Sequence, residues 1–236
     1  MTPAVLRSLQ VAAVAEVPAA GTDAWWDKPW STGFFKRAVS GPVWLGYEGL
    51  RGDQQADRRN HGGVDKAVCV YAAEHYPDWR EALGLPAMEH GAFGENFTVE
   101  GMTESTVCVG DVYQVGRARV EVSQPRQPCW KLCRRWRIRD LAAQVERTGR
   151  TGFYLRVLEH GWVESGCRIE LLARPFPELS IEHAHRVRHQ RPPEVAAVRQ
   201  LAECPALSGS WKDTLWSMAG RASEGPGEAG NRAPAP

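Results

Sequence analysis

The sequence has almost no net charge, too few cysteines for a disulfide framework and no hydrophobic run long enough to cross a bilayer. Its 29 basic and 28 acidic residues give a formal net charge of +1, so no strongly acidic partner such as nucleic acid is expected and any positive patch is local. Six cysteines among 236 residues lack the density of a small disulfide-bonded scaffold. Arg7, Gln10 and Glu16 interrupt the apolar start, which excludes a signal-peptide core. We therefore expect a cytoplasmic protein with no membrane partner.

Short strand patterns, separated by Gly and Pro turns, occupy most of the chain. Apolar or β-branched runs of this kind lie at residues 5–17, 43–47, 68–71 and 152–158. Their spacing predicts a sandwich or barrel rather than a helical bundle. Within this region the segment 72–83 and the basic segment 130–145 have the pattern of a helix.

The pattern becomes helical after the boundary marked by Pro175 and Pro177. Three helices are predicted: one from Ile181, capped by Ser180, one from Pro192-Pro193 to Glu203, and one from Ser208 or Ser210. Residues 221–236 are rich in Gly, Pro and Ala and are predicted to be disordered. The fold class is therefore mixed and strand-rich, with a barrel-like domain at 1–175, a small three-helix unit at 176–220 and a tail.

Cys129 lies on an irregular turn between a predicted strand and a run of cations. Pro125 and Pro128 have no amide proton and therefore stop the ladder of the strand at 118–122. Nearby cations favour the ionised thiolate, so Cys129 is predicted to be a soft metal ligand or a nucleophile. A small buried hydrophobic residue is the alternative. The basic residues that follow it, with no acid before Asp140, are Lys131, Arg134, Arg135, Arg137 and Arg139.

Two other stretches combine glycine with polar side chains. In His61-Gly62-Gly63 the paired glycines permit positive φ, and successive exposed amides can form an anion-binding nest. An ordinary glycine turn with a surface histidine is the alternative. In Gly94-Glu95-Asn96 an acid and an amide stand between a glycine and a predicted strand, where Glu95 would cap or buttress a loop.

Taken in order, these motifs resemble those of the MOSC superfamily, and specifically its YiiM-like branch. That family has a β-barrel-like MOSC domain, and the branch adds a C-terminal helical bundle, so the resemblance implies the same architecture here. The matching pieces, which are followed by Ser210-Trp211 in the helical region, are Phe35-Lys36, Gly49-Leu50-Arg51-Gly52-Asp53-Gln54, His61-Gly62-Gly63, Gly94-Glu95-Asn96, Gly110-Asp111, Ser123-Gln124-Pro125-Arg126 and Pro128-Cys129.

The resemblance implies binding of the molybdenum cofactor (molybdopterin), a pterin dithiolene with a phosphate. Cys129 matches the position that ligates the metal, and the implied activity is reduction of N-hydroxylated compounds such as hydroxylaminopurines, a detoxification of N-hydroxylated bases. Asp57 or Glu95 would relay a proton, and otherwise Asp53, Asp57, Glu95 and Asn96 would order the pocket loops. The implied cofactor-binding residues are Lys36, Asp53, Asn60, His61, Gly62, Gly63, Asn96, Ser123 and Arg126.

The sequence contains no dinucleotide fingerprint and no Walker loop. A separate reductase is therefore expected to supply the electrons. The alternative function is a non-catalytic carrier that holds molybdopterin, or sulfur on Cys129, although no pyridoxal-phosphate-dependent desulfurase domain accompanies it.

A homodimer is left open, as is whether Cys133 assists Cys129 or packs beneath it. The arginines at 134–139 would either dock an acidic redox partner or solvate a helix; a nucleic-acid module is the weakest reading.

Overall fold

The computed structural model describes residues 3–223, which form a closed β-barrel with helices packed against it. The fully buried strand over 68–72 shows why the sequence favours this arrangement, because its continuous apolar run suits a strand covered on both faces. The strands are β1 (Ala4–Val11), β2 (Ala15–Val17), β3 (Trp30–Thr32), β4 (Arg37–Ala38), β5 (Val43–Gly46), β6 (Gly49–Leu50), β7 (Val68–Ala72), β8 (Phe97–Glu100), β9 (Val112–Val115), β10 (Ala118–Pro125), β11 (Phe153–Glu159), β12 (Gly161–Val163) and β13 (Arg168–Ala173).

Seven strands make the barrel, in the order β13-β9-β10-β11-β7-β8-β1. The ring closes where β1 pairs with β13, with Ala4 opposite Ile169 and Val5 opposite Arg168. Neighbouring strands are antiparallel except β7 and β8, which are parallel. The short β4 extends the sheet beside the far end of β1. The barrel-like domain predicted from the sequence is confirmed.

Among residues 3–223, four short helices lie in the barrel region and three more form a C-terminal unit. The helices are α1 (Arg58–His61), α2 (Tyr76–Leu83), α3 (Trp130–Trp136), α4 (Leu141–Thr148), α5 (Ile181–His189), α6 (Val195–Glu203) and α7 (Gly209–Ser223). Single 3₁₀ turns occur at Trp25–Asp27, Val64–Lys66 and Ala73–His75. None of the helices in residues 3–223 has the length and apolar character needed to cross a bilayer.

The predicted three-helix unit is confirmed, with two shifts of boundary. Ser180 caps α5 as expected, since its Oγ accepts from the amide of His183 at 3.1 Å. The next helix starts after the proline pair, because the Glu194 side chain caps it by accepting from the amide of Ala197 at 3.2 Å. The last helix runs to Ser223, so the start predicted for the tail is too early. Residues 224–236 lie outside the described residues.

A single hydrophobic cluster joins the barrel interior to the three-helix unit. Barrel residues such as Phe97 and Val120 share it with Ile181, Leu201 and Leu215 from the helices. Backbone bonds also cross the junction, among them that from the Ser208 amide to the carbonyl of residue 123 at 3.0 Å. The C-terminal helices are therefore part of the same core as the barrel.

The basic segment after Cys129 forms two helices rather than the predicted one. Arg137 adopts left-handed backbone geometry, with φ of +54°, and ends α3. Its guanidinium pairs with the carboxylate of Asp27 at 2.9 Å. The ion pair holds the break between α3 and α4 against the loop that carries Trp25–Asp27.

Candidate functional site

A cavity of about 60 Å³ is lined by Cys129 and many of the predicted site residues. We call it the loop cavity, because the loops before β4, after β6 and before β8 form much of its wall. Close approach of two of these loops needs glycine at position 33, where a Cβ would lie 2.1 Å from the carbonyl oxygen of Gln54. Its lining residues are Gly33, Phe34, Lys36, Asp53, Gln54, Gln55, Ala56, His61, Lys66, Cys69, Gly94, Asn96, Arg126, Cys129, Lys131 and Tyr154.

Positive charge dominates the lining of the loop cavity. Four cationic side chains line it, namely Lys36, Lys66, Arg126 and Lys131, against one carboxylate, that of Asp53. The Asp53 carboxylate accepts from the Lys36 ammonium and from the Ala12 amide. A surplus of three positive charges in a partly enclosed, low-dielectric space favours an anionic ligand.

Arg126 is the most deeply buried of these cations. Its Nη2 donates to the carbonyl of Phe93 at 2.6 Å, whereas its Nη1 has no hydrogen-bond partner among residues 3–223. Leaving a buried donor unsatisfied costs about 1–3 kcal/mol, and more for a charged group. An anion bound in the cavity would supply the missing acceptor.

Cys129 is half-buried and immediately precedes α3, in extended backbone geometry. The other thiol in the cavity wall, Cys69, is fully buried, and burial raises its pKa to about 11. Cys69 therefore stays protonated at neutral pH and is a poor ligand for a metal. Cys133 is buried in an apolar cluster with Leu132 and Leu141, and its sulfur accepts from the amide of Ala142. It packs beneath the site, and it lines neither the loop cavity nor the cavity next to it.

His61 lies between the loop cavity and a second, neighbouring cavity, and it is held in its neutral form. Burial, followed by the charges of Lys131 and Arg126, lowers its pKa to about 4. The predicted nest of amides around it does not form, because the amides of His61 and Gly62 donate to the carbonyls of Asp57 and Arg58. Gly63 does take positive φ, at +91°. His61 lines both cavities, whereas these two amides are occupied by backbone hydrogen bonds.

A second cavity of about 370 Å³ shares the residues His61, Lys66, Cys129 and Tyr154 with the first. We call it the α7 cavity, because Ser210, Trp211 and Thr214 of that helix form one side. Cys129 thus lies where the two cavities meet. The remaining lining residues of the α7 cavity are Asp57, Arg59, Asn60, Gln124, Gln127, Pro128 and Trp130.

Asp57 and Asn60 line the α7 cavity rather than the loop cavity. Asp57 caps α1, and hydrogen bonds from the side chain and then the amide of Asn60 lower the pKa of its carboxyl. At neutral pH it is therefore a fixed anion that holds no proton for transfer. Its geometry supports ordering of the loop more than the relay of a proton.

Two predicted site residues are turned away from both cavities by their own hydrogen bonds. The fully buried Glu95 carboxylate accepts from the Tyr76 hydroxyl, the Thr98 hydroxyl and the amides of residues 91 and 93. Ser123 donates from Oγ to the carbonyls of Asp65, at 2.6 Å, and Tyr154. Both residues fasten the surrounding loops. Asn96 lines the loop cavity, but its amide is also used, bridging Cys69 and Gln10.

Of the arginines after Cys129, Arg134 and Arg135 contact the loops of the protein itself. Arg134 donates to the carbonyl of Trp26 and lies over the rings of Trp30 and Trp130. Arg135 donates to the carbonyls of residues 34 and 91, at 3.3 and 2.8 Å. These side chains fasten α3 to the loops of the cavity wall. Of the basic run, Lys131 alone lines the loop cavity.

The comparisons with known proteins agree with this architecture. A model of the MOSC domain matches residues 57–170, and one of the YiiM-like 3-alpha helix domain matches residues 179–217. An uncharacterised Bacillus subtilis protein, YflK, is 48% identical over 181 residues, covering 77% of this chain and 81% of YflK. The chain belongs to the YiiM-like branch of the MOSC superfamily.

Two further relatives extend the comparison. The crystal structure of YiiM from Geobacillus stearothermophilus is 36% identical, with a TM-score of 0.77, and the match covers 92% of this chain and 100% of that one. A Gibberella moniliformis protein named Reductase is 38% identical over 180 residues, covering 75% of this chain but only 31% of that protein. The 3-alpha match coincides with α5, α6 and α7, so this MOSC protein carries the branch's helical unit.

Sequence reasoning missed several residues that line the cavities. Lys131 was not distinguishable from the other cations of its run, and Lys66 and Tyr154 carry no local motif. Tyr154 reaches the site because β11 pairs with β7, which places it opposite Cys69. The signal for Trp211 was present in the matched pair Ser210-Trp211, but the sequence did not show that α7 reaches Cys129.

Proposed function

We propose that this MOSC protein is a molybdenum-cofactor-dependent reductase of N-hydroxylated compounds that receives its electrons from a separate reductase. The observation that carries the proposal is the half-buried Cys129 thiol in a cavity with three surplus positive charges. A thiolate is a soft ligand suited to molybdenum, and the cations suit an anionic dithiolene with a phosphate. The relative named Reductase supports a reductive reaction.

The residues of the loop cavity fit the cofactor. The unpartnered Nη1 of Arg126 and the Lys36 ammonium are the groups we assign to its phosphate or pterin, and Cys129 to its metal. Asp53 fixes Lys36, so that its charge is positioned before the ligand arrives. When bound, the cofactor supplies the two-electron redox chemistry. Placing these charges before binding reduces the cost of ordering them afterwards.

The overall reaction is R–NHOH + 2 e⁻ + 2 H⁺ → R–NH₂ + H₂O, in which the N–O bond breaks and the hydroxyl leaves as water. The electrons come from a separate reductase, because the chain has no dinucleotide-binding motif. The proton for the departing hydroxyl needs a donor near Cys129. Neutral His61 and anionic Asp57 hold no proton to give at pH 7. We assign that role to the Lys131 ammonium, which lines the same cavity as the thiol.

The test compares wild type with Cys129→Ala and with Cys69→Ala, each purified from a host that makes the cofactor. Cys69 is the matched control because its thiol lines the same cavity but is expected to stay protonated. Wild type and Cys69→Ala should contain roughly one molybdenum per chain and reduce a hydroxylaminopurine with reduced methyl viologen. Cys129→Ala should be inactive, with a loss of at least about 10³-fold.

Two results would contradict the proposal. Turnover by the pure protein with NAD(P)H alone would show that no separate reductase is needed. A wild-type protein that neither contains molybdenum nor binds freshly released cofactor would show that the protein does not use the cofactor. Cargo bound at Cys129 and passed on without turnover would instead identify a carrier of molybdopterin or sulfur.

A further inference from the structure

A second basic region lies beside the loop cavity, at an open groove of about 840 Å³. Residues of the loop before β4, of α2 and of α3 contribute to its lining. Apart from Lys36, the proposed binding of the cofactor uses none of them. We call this region the basic groove, and the lining residues that matter here are Phe35, Lys36, Arg37, Arg80, Glu89 and Arg135.

The basic groove carries more positive than negative charge. Three arginines line it, and the carboxylate of Glu89 is the one acid among the lining residues. Lys36 adds little, because a carboxylate of the loop cavity already pairs with it. The guanidiniums of Arg80 and Arg135 donate to backbone carbonyls, which are neutral and leave the charge of each arginine uncompensated. The groove therefore favours a negatively charged partner.

The groove differs from the loop cavity in having no preformed site for a small anion. Among residues 3–223, none of the buried polar atoms that lack a partner lines the groove, whereas the Nη1 of Arg126 lines the loop cavity. The cations of the groove come from three separate segments, and Arg37 is exposed. Charges spread in this way over an open surface suit a broad acidic face more than a single bound anion.

Phe35 gives the groove an apolar centre among its cations. The side chain is 40% exposed. Its ring lies 5.8 Å from that of Trp30 between centroids and 5.5 Å from the guanidinium carbon of Arg135. An exposed aromatic ring fixed by its neighbours and flanked by arginines has the composition that is enriched at the centres of protein–protein interfaces. The partner is therefore expected to be a protein.

One loop connects the basic groove to the loop cavity. Phe34 and Lys36 line the loop cavity, whereas Phe35, Lys36 and Arg37 line the groove. Arg135 holds this loop by donating to the carbonyl of Phe34 at 3.3 Å, so docking needs little rearrangement. Electron transfer between proteins weakens steeply with distance, so an electron donor for the loop cavity must dock close to it. The groove meets this requirement.

We propose that the basic groove is the docking site for the electron donor, a small acidic protein with a flavin or iron–sulfur centre. Phe35 packs against the partner at the middle of the interface, and Arg37, Arg80 and Arg135 face its carboxylates. Two electrons are consumed for each N–O bond broken, so two one-electron carriers are oxidised for each R–NHOH reduced. This inference rests on the proposed function for the reaction, but docking of the carrier can be measured without turnover.

The experiment uses a plant-type ferredoxin as the acidic carrier and reduced methyl viologen as the control donor. Methyl viologen is a small cation that needs no docking face, so it reports the chemistry alone. The variants are Arg37→Glu and Phe35→Ala, and the control is Arg168→Glu. Arg37 and Arg168 are both exposed and pair with Val11 and Val5 of β1, so the control makes the same charge reversal roughly 20 Å away along that strand.

Three quantities are measured, each at about 50 and about 200 mM NaCl, since added salt screens exposed charges. They are the KM for reduced ferredoxin with a hydroxylaminopurine as substrate, the rate with methyl viologen, and the Kd of oxidised ferredoxin by isothermal titration calorimetry. The last of these needs no electrons.

Arg37→Glu should raise the KM and the Kd for ferredoxin at least about tenfold at low salt, because a carboxylate then faces the acids of the partner. The difference from wild type should shrink at the higher salt concentration. Phe35→Ala should raise both about fivefold at either salt concentration, because burial of apolar surface is not screened. The rate with methyl viologen should stay within about twofold of wild type in both variants. Arg168→Glu should match wild type throughout.

The inference is overturned if Arg37→Glu and Phe35→Ala bind ferredoxin as tightly as Arg168→Glu does, or if wild type does not bind it at the lower salt concentration. The proposed function fails separately, if wild type reduces no N-hydroxylated compound with methyl viologen. In that case, a ferredoxin Kd that is raised by Arg37→Glu but not by Arg168→Glu would still support the groove as the docking site of an acidic protein.

Discussion

Glu95 shows that a residue in a family motif can order the loops around a cavity without lining it. Its buried carboxylate accepts from two hydroxyls and two amides of the loop before β8. Glu95→Gln replaces one acceptor oxygen by a donor that faces other donors. We expect a loss of about 3 kcal/mol in the free energy of unfolding, measured by urea denaturation, with the exposed Glu89→Gln as control.

The same variant separates a structural role for Glu95 from proton transfer. If Glu95 only orders the loop, the pH dependence of kcat in the folded variant should match that of wild type. Unchanged stability combined with a shifted pH profile would assign the proton transfer to Glu95 instead.

His61 makes the stability of the protein depend on pH. Its pKa, ordinarily 6.5, is lowered to about 4 by burial and nearby cations, so between these values the unfolded chain binds more protons than the folded one. The folded state therefore loses stability as pH falls, by up to about 2 kcal/mol from this group at pH 5. Urea denaturation at pH 7 and pH 5 should show a smaller loss in His61→Gln than in wild type. Equal losses in the two proteins would show that His61 is not held neutral.

At the scale of elements, the end of β10 explains why some site residues were predictable and others were not. Cys129 was identified from the prolines that flank its turn and Arg126 from the family motif, although β10 continues through Pro125, which lies opposite Phe153. Ser123 was assigned to the cofactor, yet it points into the protein. The pairing of β10 with β11 shifts register between Val122 and Gln124, and such an irregularity breaks the alternation by which a sequence indicates the side on which a residue lies.

α5 reaches the turn that carries Cys129 through one side chain. With the Gln127 amide oriented so that its oxygen faces the guanidinium, Arg188 Nε donates to it at 2.7 Å. The same guanidinium lies 4.9 Å from the centroid of the Trp211 ring. Arg188 therefore holds both the turn before the thiol and one wall of the α7 cavity.

Removing the contacts of Arg188 should loosen the turn that carries Cys129. Arg188→Ala is expected to lose about 1–3 kcal/mol in the free energy of unfolding and to retain less molybdenum after gel filtration. Arg186→Ala is the control on the same helix, because the Arg186 side chain is exposed and contacts only His183 among the bonds described. Equal retention of metal in the two variants would exclude the role given to Arg188.

At the scale of the whole molecule, the continuous core makes the barrel and the helical unit one cooperative structure. The prolines and the change from a strand pattern to a helix pattern predicted the boundary near Pro175. The pattern of a segment does not, however, show which other apolar face it packs against. Ile181 and Leu215 share their cluster with barrel residues such as Val120. Local sequence patterns do not predict this packing, because it depends on which distant segments the fold brings together.

A single unfolding transition should follow from that shared core. Far-ultraviolet circular dichroism, which follows both strands and helices, and tryptophan fluorescence should give the same midpoint in urea. Trp211→Ala, which truncates a fully buried side chain at the junction, should lower that midpoint by the equivalent of about 3–5 kcal/mol. Two resolved transitions would show that the helical unit unfolds independently.

Closure of the barrel between β1 and β13 also determines when the site can be completed during synthesis. Ala4 leaves the ribosome early, but its partner Ile169 follows only after most of the chain has been translated. Until then the sheet has an open edge, where unpaired backbone groups invite pairing with other chains. Nascent chains that stop before β13 should therefore be captured by chaperones and aggregate. Under the proposed function, insertion of the cofactor would follow translation of this strand.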